Sequence, residues 1–157
     1  MEPILNRLID TPLGSMIAAT DGDAIVSLDF ADEGVDIPNS DHPLLLSLEK
    51  ELGEYFAGKR RTFDLPLAPR GTPFQLAVWE RLRMIPYGET ISYAQEAERL
   101  GNPKAVRAVA SANGRNPISI LIPCHRVIAT GGGLGGYSGG VEKKAFLLAL
   151  ERHPKSR

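Results

Sequence analysis

At 157 residues, 43% hydrophobic and 24% charged, the chain is sized for one domain or two small ones around a buried core, and wholesale disorder is excluded. One cysteine excludes an internal disulfide and a Cys-rich zinc cluster, and with only three histidines (His42, His125, His153) neither a metal nor a cofactor is expected. The net charge of −1 sums two unlike halves: residues 1–71 carry 6 Lys and Arg against 13 Asp and Glu, residues 72–157 carry 12 against 6, which suggests an acidic support and a basic working face.

Aromatics at 6% argue against a stacking platform for single strands. The opening MEPILNRLID holds two acids and no apolar run, unlike a secretory signal, and no stretch approaches the roughly 20 apolar residues of a membrane span. A soluble, cytoplasmic protein with a reduced thiol is expected, with no membrane partner.

The first third reads as strands. Residues 13–19 and 24–30, joined by Thr20-Asp21-Gly22-Asp23, have the form of a hairpin with Asp-Gly in its turn. Residues 31–40 are rich in Asp, Gly and Pro and read as a loop. A helix is predicted from near Asp41, with Pro43 in its first turn, one apolar face (Leu44, Leu45, Leu48, Leu52, Tyr55, Phe56) and a stop at Gly58. Residues 61–65 are compatible with a returning strand. The charge changes sign within 65–72, which holds two prolines and a glycine, and a domain boundary is expected there, giving domains of 1–70 and 71–157.

The second half reads as helical. Thr72-Pro73 opens a helix whose Phe74, Ala77, Val78, Arg81 and Leu82 recur with a period near 3.6 as far as Met84. Ser92-Tyr93-Ala94-Gln95 fits a capping box, in which the Ser hydroxyl and the Gln side chain each satisfy a free backbone N–H. That short helix ends at Leu100-Gly101, and Asn102-Pro103 opens another over 104–113. Two short helices across a Gly-Asn-Pro joint have the proportions of a helix-turn-helix, or of an ordinary αα-hairpin.

The second helix favours the former. Ala105, Ala108 and Ser111 keep its surface low, and Arg107 projects between small neighbours. Reading base edges in the major groove needs several long polar side chains, which are missing, so contact with the minor groove through shape and phosphate fits better. The lone thiol follows the apolar run 118–122 in Pro123-Cys124-His125-Arg126. A buried structural cysteine is the commoner fate of an isolated one; a nucleophilic thiolate needs a base or a positive field, which His125 and Arg126 are able to supply.

Ile120-Leu121-Ile122-Pro123-Cys124-His125-Arg126-Val127 resembles the active-site signature of the O6-alkylguanine-DNA alkyltransferases, the methylated-DNA–protein-cysteine methyltransferases. So, in order and spacing, do Thr11-Pro12-Leu13-Gly14, Glu54-Tyr55-Phe56-Ala57-Gly58-Lys59-Arg60, Ile85-Pro86-Tyr87-Gly88-Glu89-Thr90, Gly101-Asn102-Pro103-Lys104-Ala105-Val106-Arg107-Ala108, Asn116-Pro117-Ile118 and Gly136-Tyr137-Ser138-Gly139-Gly140. The resemblance covers essentially the whole chain. It implies an α+β protein, with a small ribonuclease-H-like N-terminal sheet domain and a mainly helical C-terminal domain containing a helix-turn-helix. It also implies single-turnover transfer of an alkyl group from O6-alkylguanine, with O4-alkylthymine a further candidate substrate, in double-stranded DNA, by a monomer that flips the nucleotide out.

By the same resemblance Cys124 is the acceptor, His125 the base that takes its proton through water, and Glu151 the residue that orients His125. Asn116 ties the recognition helix to the cysteine segment. Tyr93 donates a hydrogen bond to guanine N3, and Arg107 fills the gap left by the extruded nucleotide. Val127 and Ser138 line the guanine pocket through backbone groups, and Tyr137 belongs to the loop that closes it. That loop, 131–140, holds seven of the sixteen glycines without a following Gly-Lys-Ser/Thr, so room for a base is a better account than a phosphate cradle. The absence of any cysteine before Cys124 excludes the N-terminal zinc site of some family members. Residues 112–115 vary within the family and leave the preference for alkyl size open. Outside the resemblance, a lesion-sensing helix-turn-helix module with an incidental cysteine, or a cysteine hydrolase using Cys124, His125 and Glu151, are the competing readings.

Overall fold

The computed structural model describes residues 3–152, so His153 lies outside the described residues. The chain divides into two compact units, one reaching Pro69 and one beginning at Arg70.

The first unit is a three-stranded antiparallel sheet, ordered β1 (Leu5–Thr11), β2 (Gly14–Thr20), β3 (Ile25–Phe30), with one helix, α1 (Pro43–Phe56), against it. The expected hairpin is β2–β3, in register Met16↔Phe30 and Ala18↔Leu28, with an irregularity at Ala19/Thr20. Its turn is built by side chains: the Asp21 carboxylate accepts from the backbone N–H of Asp23 and Ala24, and Gly22 takes a φ of +100°. Strand β1 carries no clear period, because only Ile9 among its residues is buried; it is recognisable as a strand through its pairing with β2.

Helix α1 buries Leu45, Leu48, Leu52, Tyr55 and Phe56, a stripe worth roughly 1.5–3 kcal/mol per large apolar side chain removed from water. Its cap is His42, whose Nδ1 accepts from Leu44 N–H at 3.1 Å, while Asp41 pairs with Arg7 instead. The strand anticipated over 61–65 does not form. Arg60 gathers Glu54, Asp64 and the Thr62 carbonyl, and Asp64 N–H donates to Glu51, so side chains occupy the groups a ladder would need. The chain meets the sheet two residues later, where Ile25 N–H donates to Pro66 O and Ala68 N–H to Ile25 O.

The second unit clusters three helices, α2 (Pro73–Leu82), α3 (Tyr93–Leu100) and α4 (Val106–Gly114). The expected capping box of Ser92 with Gln95 is present, and the helix start at Thr72 is closed by a second one, with Gln75. Helix α2 ends two residues short of Met84, and its buried face is Val78, Trp79 and Leu82, whereas Phe74, Ala77 and Arg81 are exposed. Trp79 outweighs the expected stripe: its indole N–H donates to Ala112 O at 2.8 Å and its ring closes against Gly71, where a Cβ would come within 2.6 Å. Helix α4 starts at Val106 rather than 104, since Asn102-Pro103 form a turn closed by Ala105 N–H to Asn102 O. The α3–α4 pair, joined at Gly101 with φ +88°, is the helix-turn-helix.

A two-residue parallel ladder, β4 (Ile91–Ser92) with β5 (Val127–Ile128), pairs Ile91 with Val127 and Ser92 with Ile128. It fastens the start of α3 to the segment after the cysteine, and thereby sets Tyr93 beside Cys124. Helix α5 (Val141–Arg152) completes the unit. Among the described residues no helix is long and apolar enough to cross a membrane.

Candidate active site

The cysteine segment is wound around one side chain. Asn116 Oδ1 accepts from Ile118 N–H at 3.0 Å, and its Nδ2 donates to Ile122 O at 2.7 Å and to Cys124 Sγ at 3.4 Å. Between these anchors the buried run 118–122 forms turns, and Ile120 is held at φ +73°, an expensive conformation for a β-branched residue. Cys124 then opens a 3₁₀ turn, Cys124–Arg126, and is buried. Burial pushes its thiol up, against the Asn116 hydrogen bond and the Lys144 charge, which favour the thiolate.

His125 is wholly buried, and its Nε2 lies 2.7 Å from Glu151 Oε2. A carboxylate only accepts, so Nε2 carries the proton and Nδ1 is the basic atom; Nδ1 is buried and has no hydrogen-bond partner among the described residues. Burial lowers the affinity of the imidazole for a second proton, against the pull of Glu151. Burial by itself would raise the Glu151 carboxyl, but His125 and Arg126 outweigh it and bring it down to about 2. Arg126 spends its hydrogen bonds away from the thiol. Its Nε and Nη2 clamp Glu151 at 2.8 and 3.0 Å, its Nη1 donates to Ile85 O at 2.7 Å, and the guanidinium lies over the Tyr87 ring.

The nearby cation is Lys144 of α5, which sequence reasoning missed. It is fully buried, donates to Val127 O at 2.6 Å and Gly136 O at 3.0 Å, and stands 5.7 Å from the centre of the Tyr93 ring. Lys144, Leu147, Leu148 and Glu151 follow one another at i, i+3, i+4 and i+7, so two charged residues at the ends of a buried stripe were the available signal. Glu96, 2% exposed on α3 and bonded to Asn113 Nδ2 at 2.7 Å, was also missed; it stands beside Ala97 on the helix's inward face.

A cavity of about 220 Å³ is lined by Tyr93, Ala110, Asn113, Gly114, Cys124, Gly136, Tyr137 and Ser138. The predicted Cys124, Tyr93, Tyr137 and Ser138 thus meet at one opening. Val127 does not line it: the residue is fully buried in β5, and its carbonyl is taken by Lys144. Burial raises the Tyr93 hydroxyl, with Cys124 and Glu96 adding to the effect, so it remains a donor. Gly135 has φ +75°, and a Cβ there would fall 2.7 Å from the Tyr93 oxygen, so the loop reaches the ring only as glycine. Helix α4 contributes Ala110 and Gly114 to the cavity and presents Arg107, Ala108 and Ser111 to solvent; Ala105 is half-buried at its N-cap. Among the described residues no cluster of His, Cys, Asp and Glu is placed to hold a metal ion.

A buried thiol held by an amide, a proton-accepting imidazole oriented by a carboxylate, and a phenol across a small cavity suit displacement by sulfur on a planar, polar ligand. Comparison with known proteins agrees. Residues 73–153 match the family model of the 6-O-methylguanine DNA methyltransferase DNA-binding domain, and residues 4–69 that of its ribonuclease-like domain. A constitutive methylated-DNA–protein-cysteine methyltransferase of Bacillus subtilis is 49% identical over 91% of this chain and 92% of its own length. One from Methanosarcina acetivorans is 43% identical over 92% and 96%. Among solved structures, the Mycobacterium tuberculosis O6-methylguanine methyltransferase superposes with a TM-score of 0.87 at 42% identity, covering 97% of this chain and 94% of that one. The Mycobacterium tuberculosis protein solved in complex with DNA gives 0.86 at 43%, covering 94% and 92%.

Proposed function

This chain belongs to the 6-O-methylguanine DNA methyltransferase family, and from that premise we propose that Cys124 is the acceptor that removes the alkyl group from O6-alkylguanine in double-stranded DNA. The protein repairs DNA by alkyl transfer to cysteine. The observation that carries the assignment to Cys124 is the sulfur at the cavity wall, held by Asn116 at 3.4 Å, with the His125–Glu151 pair in the adjoining position.

His125 Nδ1 takes the thiol proton, and the resulting imidazolium is stabilised by Glu151. The sulfur attacks the alkyl carbon: the S–C bond forms as the C–O6 bond breaks, and the electron pair passes into guanine, whose N3 is hydrogen-bonded by the Tyr93 hydroxyl. The thiol loses one proton and the freed guanine regains one, so the balance closes. Reversal would have to expel the cysteine thiolate from an alkyl carbon, for which it is a poor leaving group, so the thioether persists and each molecule acts once.

Guanine O6 is out of reach while stacked, and unstacking costs about a few kcal/mol. The exposed, low face of α4, with Arg107 among alanines, supports approach through the minor groove, with Arg107 standing in for the extruded nucleotide. The unit that begins at Arg70 is the catalytic and DNA-binding domain, and the one before it a support, in a protein that works as a monomer.

Intact mass after incubation with duplex DNA carrying O6-methylguanine tests the assignment. One methyl gained per chain, and none by Cys124→Ala, is the expected result; binding without mass gain, or turnover beyond one equivalent, overturns it. Arg107→Ala is expected to slow repair of duplex DNA far more than reaction with free O6-benzylguanine, and equal losses remove the finger role.

A further inference from the structure

Beside the cavity stands an acid that the transfer reaction does not use. Glu96 Oε1 accepts from Asn113 Nδ2 at 2.7 Å, and Asn113, 6% exposed, is itself part of the cavity wall that holds Cys124. The two remaining oxygens of this pair, Glu96 Oε2 and Asn113 Oδ1, are both buried and both lack a donor. Two orphaned acceptors on one hydrogen-bonded acid–amide pair are costly, and native proteins avoid them. A single proton on Oε2 would make it a donor, and directed at Oδ1 it would satisfy both orphans by closing a two-bond acid–amide ring. Resting on the alkyl-transfer reading above, we propose that Glu96 is a positioning residue: it is protonated in the resting protein, locks the Asn113 wall through an acid–amide ring, and keeps a negative charge away from the Cys124 sulfur.

The surroundings support a neutral acid. Burial raises the Glu96 carboxyl to about 7, with the Asn113 hydrogen bond and the Lys144 charge opposing. The titratable groups in electrostatic reach are Tyr93 on its own helix, Cys124 of the 3₁₀ turn and Lys144 of α5. The α4 partner, Asn113, does not titrate. An ionised Glu96 disfavours the Cys124 thiolate and leaves Asn113 Oδ1 without a donor, so its proton matters to the reacting atom and to the wall together.

Side-chain carboxyl NMR over a pH titration, with Glu96→Gln to assign the signal, reads the proton directly and independently of repair. The expected result is a Glu96 midpoint near 7, with the Asn113 side-chain amide shifting at the same midpoint; a midpoint at the ordinary 4.5, or an amide that does not follow, overturns the proposal. Glu96→Gln retains both ring bonds, through an amide–amide pair, and cannot ionise. Its methyl-transfer rate relative to the native chain should rise by roughly three- to tenfold as pH increases through neutrality, and Glu96→Leu should be slow throughout. A ratio that stays flat with pH overturns the positioning role. Absence of methyl transfer by the native chain would count against the proposed function, and the NMR midpoint would still decide the proton.

Discussion

The two units spend their polar residues in opposite ways. In the sheet unit the ion pairs are exposed or half-buried, Arg7 with Asp41 and Glu49, and Arg60 with Glu51, Glu54 and Asp64, and among the described residues the buried polar one is Thr20. In the helical unit Glu96, Asn113, Asn116, Ser119, His125, Arg126, Lys144 and Glu151 are all buried. Taking charges out of water is expensive unless each is paired and hydrogen-bonded, and a merely structural core would use apolar residues there. The contrast teaches where chemistry is stored: the first unit is stabilised by apolar packing, whereas the second accepts desolvation to keep a base, two acids and two cations near one sulfur.

Removing a partner from that buried set should have the largest effect. Glu151→Gln leaves Arg126 with an uncompensated buried charge and His125 without its carboxylate, and is expected to cost about 3–5 kcal/mol in denaturant unfolding. It should slow alkylation while leaving DNA affinity nearly intact. The pH dependence has a definite sign. Glu151 is held at about 2 against an ordinary 4.5, so its contribution is complete above 4.5 and is lost as pH falls toward 2. The gap in stability between the native chain and Glu151→Gln should therefore close over that acid range. A gap that is constant with pH, or a loss below about 1 kcal/mol, would put Glu151 in the class of the surface pairs.

Lys144→Met is expected to be next in size. Met fills much of the aliphatic stem's volume, but the Val127 and Gly136 carbonyls lose their donor and the sulfur loses a cation that favours its thiolate. Expected are a destabilisation of about 1–3 kcal/mol and a methyl-transfer rate lowered most at neutral pH, where the thiol depends on that field. Raising the pH should recover part of the rate. A rate loss of equal size at every pH would assign Lys144 to loop architecture alone.

Legibility in the sequence follows the same divide. Local devices were readable: the helix start at Thr72, the capping box at Ser92, the Asp21-Gly22 turn and the apolar stripe of α1 each depend on residues a few positions apart. Strand β1 was not, because a strand with one buried residue has no alternation to detect. The start of α4 was displaced by a turn that local rules read as a helix opening. At the site, the signature around Cys124 pointed to the sulfur and its base, but Arg126 finds Glu151 25 residues away and Lys144 finds Val127 17 residues away. Such partners are selected by tertiary packing. What was visible was the anomaly, a charge inside a buried stripe, as at Lys144 and Glu96.

The smallest effect is expected at Asp41, and it is the sharpest control on the contrast. Its carboxylate lies 3.0 Å from Arg7 Nη1, as close as the members of the buried cluster, yet its side chain is 85% exposed. Water already solvates the carboxylate, and Arg7 keeps Glu49 and the Ser40 carbonyl when Asp41 is gone. Asp41→Asn should cost no more than about 0.2–1 kcal/mol, shrinking further in high salt, since exposed pairs are screened and rarely repay the ordering of two long side chains. Equal distances with unequal consequences would place the difference between the units in solvation. If Asp41→Asn proved as damaging as Glu151→Gln, pairing geometry alone would govern both units, and the burial of charge around Cys124 would need another reason.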